Sequence, residues 1–231
     1  MVIMTVTAVI PVKGHSSRVP GKNIRPFADS NLLVNKIRQL KESKVDEILV
    51  SSDSDEMLEM ARKEGVRAEK RPDDLANESR PFGDLVIHVS GLIIGEHLMW
   101  SPVTSPTLDS FFYNEAIDTY AKTLNDGYDS LTTVEDFKHF LMEKSGKPYN
   151  FNPDVAVTNS QQLPEMYKWT CGCSIIPIEL AKEYRFIFGK KPFCFEVDQD
   201  HAIDIDTEFD YRFAKAMYEA EVSKQHKNIY P

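Results

Sequence analysis

The sequence predicts a single three-layer α/β/α domain built on a mostly parallel sheet, and three observations carry that prediction. Short apolar runs alternate with longer stretches whose apolar residues recur at helical spacing, the pattern of βαβ units. The chain has 231 residues, 42% of them hydrophobic, enough for one large core. Its first apolar run leads directly into a loop of glycines, hydroxyls and cations, and open parallel sheets bind ligands in that place, beyond the carboxyl ends of their strands.

Residues 5–11 read as the first strand. A helix follows over 31–43, with Leu32, Leu33, Ile37 and Leu40 on one face, and 47–51 reads as a buried strand. Ser54 or Asp55 can cap a helix that ends near Glu64 and is closed by Gly65, and 66–69 reads as a short strand. The pattern repeats as a helix over 83–94, a strand over 97–100, a helix over 109–124 and a strand over 130–134. Between 135 and 169 the periodicity weakens, broken by Gly146, Pro148, Pro153 and Pro164. A stretch that long with little regular structure is functional or held by contacts outside its own core. A strand resumes over 172–176, a last helix runs from 207 to about 222, and 223–231 reads as a frayed polar tail. Residues 1–222 therefore read as one domain.

The loop after the first strand is Val12-Lys13-Gly14-His15-Ser16-Ser17-Arg18-Val19-Pro20-Gly21-Lys22-Asn23. Glycine lets backbone N–H groups converge, and Lys13, Arg18 and Lys22 can neutralise the oxygens of a polyphosphate. Neither the G-x-x-x-x-G-K-[ST] order nor G-x-G-x-x-G is present, so the common mononucleotide and dinucleotide loops are excluded. With Arg25 these cations form an island in a chain of net charge −9. That balance suits a small anionic ligand drawn into one cleft and argues against nucleic acid as a partner.

Far downstream, Ala202-Ile203-Asp204-Ile205-Asp206-Thr207-Glu208-Phe209-Asp210 alternates in polarity. In an extended segment Asp204 and Asp206 share one face and Ile203 and Ile205 the other. Neighbouring carboxylates repel each other unless a cation lies between them, and Mg²⁺ takes such oxygen ligands while keeping waters and bridging to phosphates. The same stretch can instead cap the last helix through Asp206 or Thr207.

These two motifs resemble the acylneuraminate cytidylyltransferases, whose opening reads roughly A-R-x-x-S-K-x-x-P-x-K-N after the first strand. Ser16, Pro20, Lys22 and Asn23 match in place; Lys13 stands at the family's Arg and Ser17 at its Lys, with Arg18 adjacent. The aspartate stretch resembles the family's I-D-I-D-T-E-x-D without substitution at those positions. Arg71-Pro72-Asp73-Asp74-Leu75-Ala76, Thr104-Ser105-Pro106 and Gln161-Gln162-Leu163-Pro164 resemble three further family segments in order. The resemblance spans residues 6–218.

The resemblance implies a Rossmann-like, GT-A-like nucleotidyltransferase fold in which 135–169 is a dimerisation insertion, hence a homodimer. It implies transfer of CMP from CTP to an acidic sugar with release of pyrophosphate. Lys22, Asp204 and Asp206 would be catalytic, the two aspartates as ligands of Mg²⁺. Lys13, Gly14, Ser16, Arg18, Lys22, Asn23, Arg71 and Asn77 would contact the nucleotide. Ser105, Gln161, Gln162 and Lys168 would contact the acceptor. A sugar-1-phosphate nucleotidyltransferase would carry G-x-G-x-R in its opening, which is absent. A non-catalytic binding protein of the same fold would have no need of Lys22, Asp204 and Asp206.

The chain departs from the family where the sugar acid is gripped. The family tends to read Q-P-T-S-P-L-R, whereas Pro102-Val103-Thr104-Ser105-Pro106-Thr107-Leu108 lacks both Gln and Arg, and Ser160 stands where Arg commonly precedes the QQLP-like segment. Loss of a guanidinium removes a two-point clamp for a carboxylate, for which Lys168, Lys138 and Arg80 are the candidate replacements. The acceptor is therefore expected to be a nonulosonic acid, or another acidic group such as 3-deoxy-octulosonic acid or a phosphonate. Cys171, Cys173 and Cys194 lack the second ligand pair of a zinc site and are expected to pack as small apolar groups. With no run of about 18 apolar residues and no basic leader before the first strand, a cytosolic protein is expected.

Overall fold

Strand β1 (Val6–Pro11) is buried along nearly its whole length because alternate side chains feed two separate cores: Val6, Ala8 and Ile10 enter one, Val9 the other. The computed structural model describes residues 4–76, 79–154 and 159–229. After β1 and its loop, a two-residue hairpin, β2 (Pro26–Phe27) and β3 (Ser30–Asn31), leads into α1 (Leu32–Lys41). The Asn31 side chain accepts from the Val34 N–H and caps α1. Then come β4 (Glu47–Ser52), α2 (Asp55–Lys63) capped by Ser54, β5 (Arg67–Lys70), α3 (Phe82–Ser90) and β6 (His97–Trp100). The chain continues through α4 (Ser110–Thr123) capped by Asp109, β7 (Ser130–Asp136), β8 (Tyr167–Pro177), α5 (Ile178–Tyr184), β9 (Pro192–Glu196) and α6 (Glu208–Ile229).

The strands form one seven-stranded sheet in the order β5-β4-β1-β6-β8-β7-β9. Pairings of β1 with β4 and β6, of β4 with β5 and of β7 with β9 are parallel. Strand β8 runs antiparallel to both β6 and β7. Helices α1, α2, α4 and α6 cover one face and α3 and α5 the other, giving the expected three layers. The order reverses between β1 and its two neighbours, a switch point that opens a crevice at the carboxyl ends of β1, β4 and β6.

Several elements differ from the sequence expectation. Helix α3 stops at Ser90 because Gly91 ends it, and the following turn brings the Glu96 and His97 N–H groups onto Thr5 O. Strand β8 begins at Tyr167, so β7 and β8 extend as a paired ribbon through Asp136↔Tyr167 into the stretch that reads as irregular. Elements α5 and β9 are additional: α5 buries only Ile178 and Ala181, too sparse a pattern to register, and β9 is held by parallel pairing to β7. Helix α6 continues to Ile229, past the point where a frayed tail is expected.

Inside β8, Cys171 has φ 57°, a left-handed conformation beside the register shift in β7 between Thr132 and Val134. Gly172 follows, and a Cβ there would overlap Leu108 Cδ1, a side chain only 1% exposed that has no free space to move into. Gly172→Ala is therefore expected to lower unfolding free energy by about 1–3 kcal/mol, the usual cost of overpacking. Urea denaturation checks this; an unchanged midpoint would mean that the 105–108 loop yields freely.

Candidate active site

The loop leaving β1 is anchored along its length by its own sequence. Val12 N–H donates to Ser51 O (3.0 Å), holding the start of the loop beside β4. Gly14 N–H donates to Asp53 Oδ1 (2.9 Å), so this amide serves the loop's own geometry. Gly21 takes φ +66°, and its carbonyl accepts from the Ile24 and Arg25 N–H groups. Asn23 is buried, and its amide donates to Lys13 O (2.9 Å), tying the two ends of the loop together. Asn23 is thus a staple of the loop as well as part of the cleft wall.

The loop frames a cleft of about 250 Å³ whose wall includes Lys13, Ser16, Arg18, Lys22, Asn23 and Arg71. Arg71 projects from the end of β5; it is buried, donates to Ser51 O (2.7 Å), and burial pulls its pKa down. Leu85, Trp100, Pro102, Val103 and Thr104 complete the opposite side. Of these, Trp100 and Leu85 are missing from the sequence reading, because an apolar residue at a strand or helix end carries no local sign of facing a ligand.

The aspartate segment docks onto this loop. Lys22 Nζ donates to Ile205 O (2.5 Å) across 183 residues of chain, and Arg18 pairs with Asp206 (2.8 Å). Arg25 grips Glu208 through two nitrogens (2.8 and 2.6 Å) and lies over the Tyr211 ring. Burial lowers the pKa of Lys22, while Asp204 and Asp206 oppose that shift. Burial raises the pKa of Asp204, reinforced by Asp206 and opposed by the Thr104 hydroxyl, Lys22 and Arg18. Ile205 N–H donates to Thr104 O (2.9 Å), so the β6 loop holds this segment through its backbone.

Capping and ligand roles separate cleanly. Thr207 Oγ1 accepts from the Asp210 N–H (3.3 Å), and Asp210 Oδ2 accepts from the Asp206 and Thr207 N–H groups (3.1 and 2.7 Å), a reciprocal cap of α6. The Asp204 and Asp206 carboxylates are left to face Thr104, Lys22 and Arg18. Among the described residues no third His, Cys, Asp or Glu joins them in a three-ligand metal group. Two hard oxygen donors suit an ion that fills its remaining positions with water and phosphate oxygens, as Mg²⁺ does.

The expected acceptor residues are less well gathered. Ser105 is buried behind the cleft wall, where its carbonyl accepts from Lys36 Nζ (2.8 Å); Thr104, its neighbour, is the residue that reaches the wall. Gln161 and Gln162 lie exposed in a short 3₁₀ turn, outside the cleft wall. Lys168 pairs with Glu135 on the β7–β8 ribbon (3.1 Å), Lys138 with Asp136 (3.1 Å) and Arg80 with Asp74 (2.6 Å). All three candidate replacements for the missing arginine are therefore engaged by carboxylates outside the wall. Asn77 lies outside the described residues.

The Arg18 and Asp206 side chains are 65% and 48% exposed, so their pair adds little to stability. Arg18→Gln is expected to change unfolding free energy by less than about 0.5 kcal/mol. Affinity for inorganic triphosphate, measured by calorimetry, should fall about tenfold or more, because a charge-assisted hydrogen bond to phosphate is lost. Equal triphosphate affinity would place the phosphates away from Arg18.

Comparison with known proteins agrees with this geometry. A family model described as cytidylyltransferase matches residues 7–229. The pseudaminic acid cytidylyltransferase of Campylobacter jejuni is 28% identical over 222 residues, covering 91% of this chain and 94% of that one. The CMP-N,N'-diacetyllegionaminic acid synthase of the same species is 26% identical over 230 residues, covering 91% and 93%. Among solved structures, a CMP:2-keto-3-deoxy-manno-octonic acid synthetase complexed with CTP superposes with TM-score 0.70 at 15% identity, covering 94% of this chain and 99% of that one, a likeness of fold. With a phosphate-type loop and a paired-aspartate segment meeting at the switch point of such a sheet, and a family match over nearly its whole length, the chain belongs to the cytidylyltransferase family.

Proposed function

We propose that this cytidylyltransferase transfers CMP from CTP to an acidic sugar of the nonulosonic type, releasing pyrophosphate with the help of Mg²⁺. The observation that carries the proposal is the meeting of Lys22 with Ile205 and of Arg18 with Asp206, which sets two cations of the cleft wall against the aspartate segment that borders it. The Campylobacter relatives are named for pseudaminic and N,N'-diacetyllegionaminic acids, which supports a nonulosonic acceptor. The chain is proposed to work as a cytosolic homodimer, with 135–169 at the dimer contact.

In the reaction, the acceptor hydroxyl gives its proton to solvent, its oxygen bonds to the α-phosphorus of CTP, the bond from that phosphorus to the bridging oxygen breaks, and pyrophosphate departs. Lys13, Arg18 and Lys22 hold the triphosphate and stabilise the charge that grows on the leaving group. The Thr104 carbonyl holds the Ile205 N–H, and the buried side chains of Ile203 and Ile205 turn both aspartates away from the core. Mg²⁺ held by Asp204 and Asp206 would supply Lewis-acid stabilisation of phosphate oxygens and lower the pKa of a ligated hydroxyl. Holding both substrates in line provides the remaining acceleration, with no covalent enzyme intermediate required. Among the described residues, Arg18 and Arg71 are the arginines that line the cleft.

Pyrophosphate release with CTP tests this against N-acetylneuraminic, legionaminic, pseudaminic and 3-deoxy-octulosonic acids and simple phosphonates, with and without Mg²⁺. Metal-dependent release with a nonulosonic acid is expected, and Asp206→Asn should lower it at least about a hundredfold, the scale of losing one charge-stabilising group. Release only with the octulosonic acid or a phosphonate would reassign the acceptor. Binding of CTP without turnover on any acceptor would favour a binding protein.

A further inference from the structure

Lys36 sits in the middle of α1 and is 1% exposed, an unusual place for an ammonium group. Its Nζ reaches Ser105 O (2.8 Å), Leu108 O (3.3 Å) and the Tyr113 hydroxyl (2.5 Å), and lies 4.9 Å from the centre of the Tyr113 ring. One turn on, Gln39 Nε2 donates to Pro106 O (2.6 Å). The polar face of α1 is thus turned inward, and three of its four bonds go to backbone carbonyls of the single loop that joins β6 to α4.

No carboxylate lies within ion-pair distance of Lys36 among the described residues. The charged and titratable groups facing it are Tyr113 and Asp109 at the start of α4 and Cys173 on β8. Burial pulls its pKa down to about 7, and that of Cys173 is pushed up to about 12 in the same interior. An unpaired buried cation works against folding, and an apolar side chain of the same length would fill this space without that cost. Stability therefore does not account for a lysine here. The other side of the loop does: the Thr104 carbonyl receives the Ile205 N–H (2.9 Å), between the two aspartates.

We infer that Lys36 is a positioning residue for the transfer reaction, fixing the 104–108 loop against α1 and, through the Thr104 carbonyl on the Ile205 N–H, setting the 204–206 segment beside the cleft. Lys36 touches neither substrate nor phosphate. Its influence passes through the loop's backbone, so it bears on the carboxylate pair and leaves the triphosphate cations Lys13, Arg18 and Lys22 in place.

The inference rests on the proposed cytidylyl transfer, and the test separates the two by reading both structure and turnover. Lys36→Met is expected to melt at or above the wild-type temperature at pH 7. Amide hydrogen exchange in 101–108 and at Ile205 should quicken at least about tenfold, with β1 and β4 unchanged. In the pyrophosphate assay kcat should drop about tenfold or more while KM for CTP moves less than about threefold. Unchanged exchange in both segments, exchange that quickens throughout the protein, or wild-type kcat with an active acceptor would each overturn the inference. If wild-type protein turns over no acceptor, the proposed function fails and the exchange result alone decides whether Lys36 holds the loop. Should the Met variant not fold, Lys36→Gln is read by the same measurements and the same criteria.

Discussion

Burial of Ile203 and Ile205 decides where the two carboxylates stand. These side chains are 8% and 0% exposed, packed in the core shared with β1, α1, α4 and α6. Each contributes about 1.5–3 kcal/mol by leaving water. The exposed Arg18–Asp206 pair contributes about 0–1 kcal/mol. The segment is therefore docked by its apolar side, and the ion pair records its position without causing it. Because side chains alternate along extended backbone, fixing the isoleucines inward turns Asp204 and Asp206 outward together.

The antiparallel strand β8 backs the loop that follows β6. It fills the gap between β6 and β7 where a purely parallel sheet would need another crossover helix. Its left-handed Cys171 carries strain of about 1–3 kcal/mol and lies within electrostatic reach of Asp204 and Asp206. Burial and those two carboxylates push the Cys171 thiol up to about 12, so it stays protonated. The next residue, Gly172, lets β8 close on Leu108 of the β6 loop. The strained Cys171 and the missing Cβ of Gly172 thus lie against the loop whose residues 102–104 line the cleft.

Buried polar groups around that loop point the same way. Among the described residues Ser105 Oγ and Thr107 Oγ1 have no hydrogen-bond partner, although Lys36 and Gln39 bond the neighbouring carbonyls. Unpartnered buried hydroxyls disfavour folding. The 101–108 loop is thus a region where packing is not optimised for stability, as expected of a segment whose position matters to a site.

The amino-acid sequence by itself determined the elements whose signals are local. Caps at Asn31, Ser54 and Asp109, the short apolar runs of β1 and β4, the cation-bearing loop and the aspartate alternation are all decided by residues within a few positions of one another. Tertiary structure alone decided the rest. The β7–β8 ribbon carries Glu135, Asp136, Tyr167 and Lys168, whose polarity shows no burial period; pairing between distant segments makes them strands. Lys36 reads as one more polar position on α1, yet the fold turns it inward, because its partners Ser105, Leu108 and Tyr113 are some seventy residues away. Side-chain periodicity reports which face of an element is apolar. Only packing decides what that face meets, and hydrogen bonds across long chain separations leave no periodic trace in the sequence.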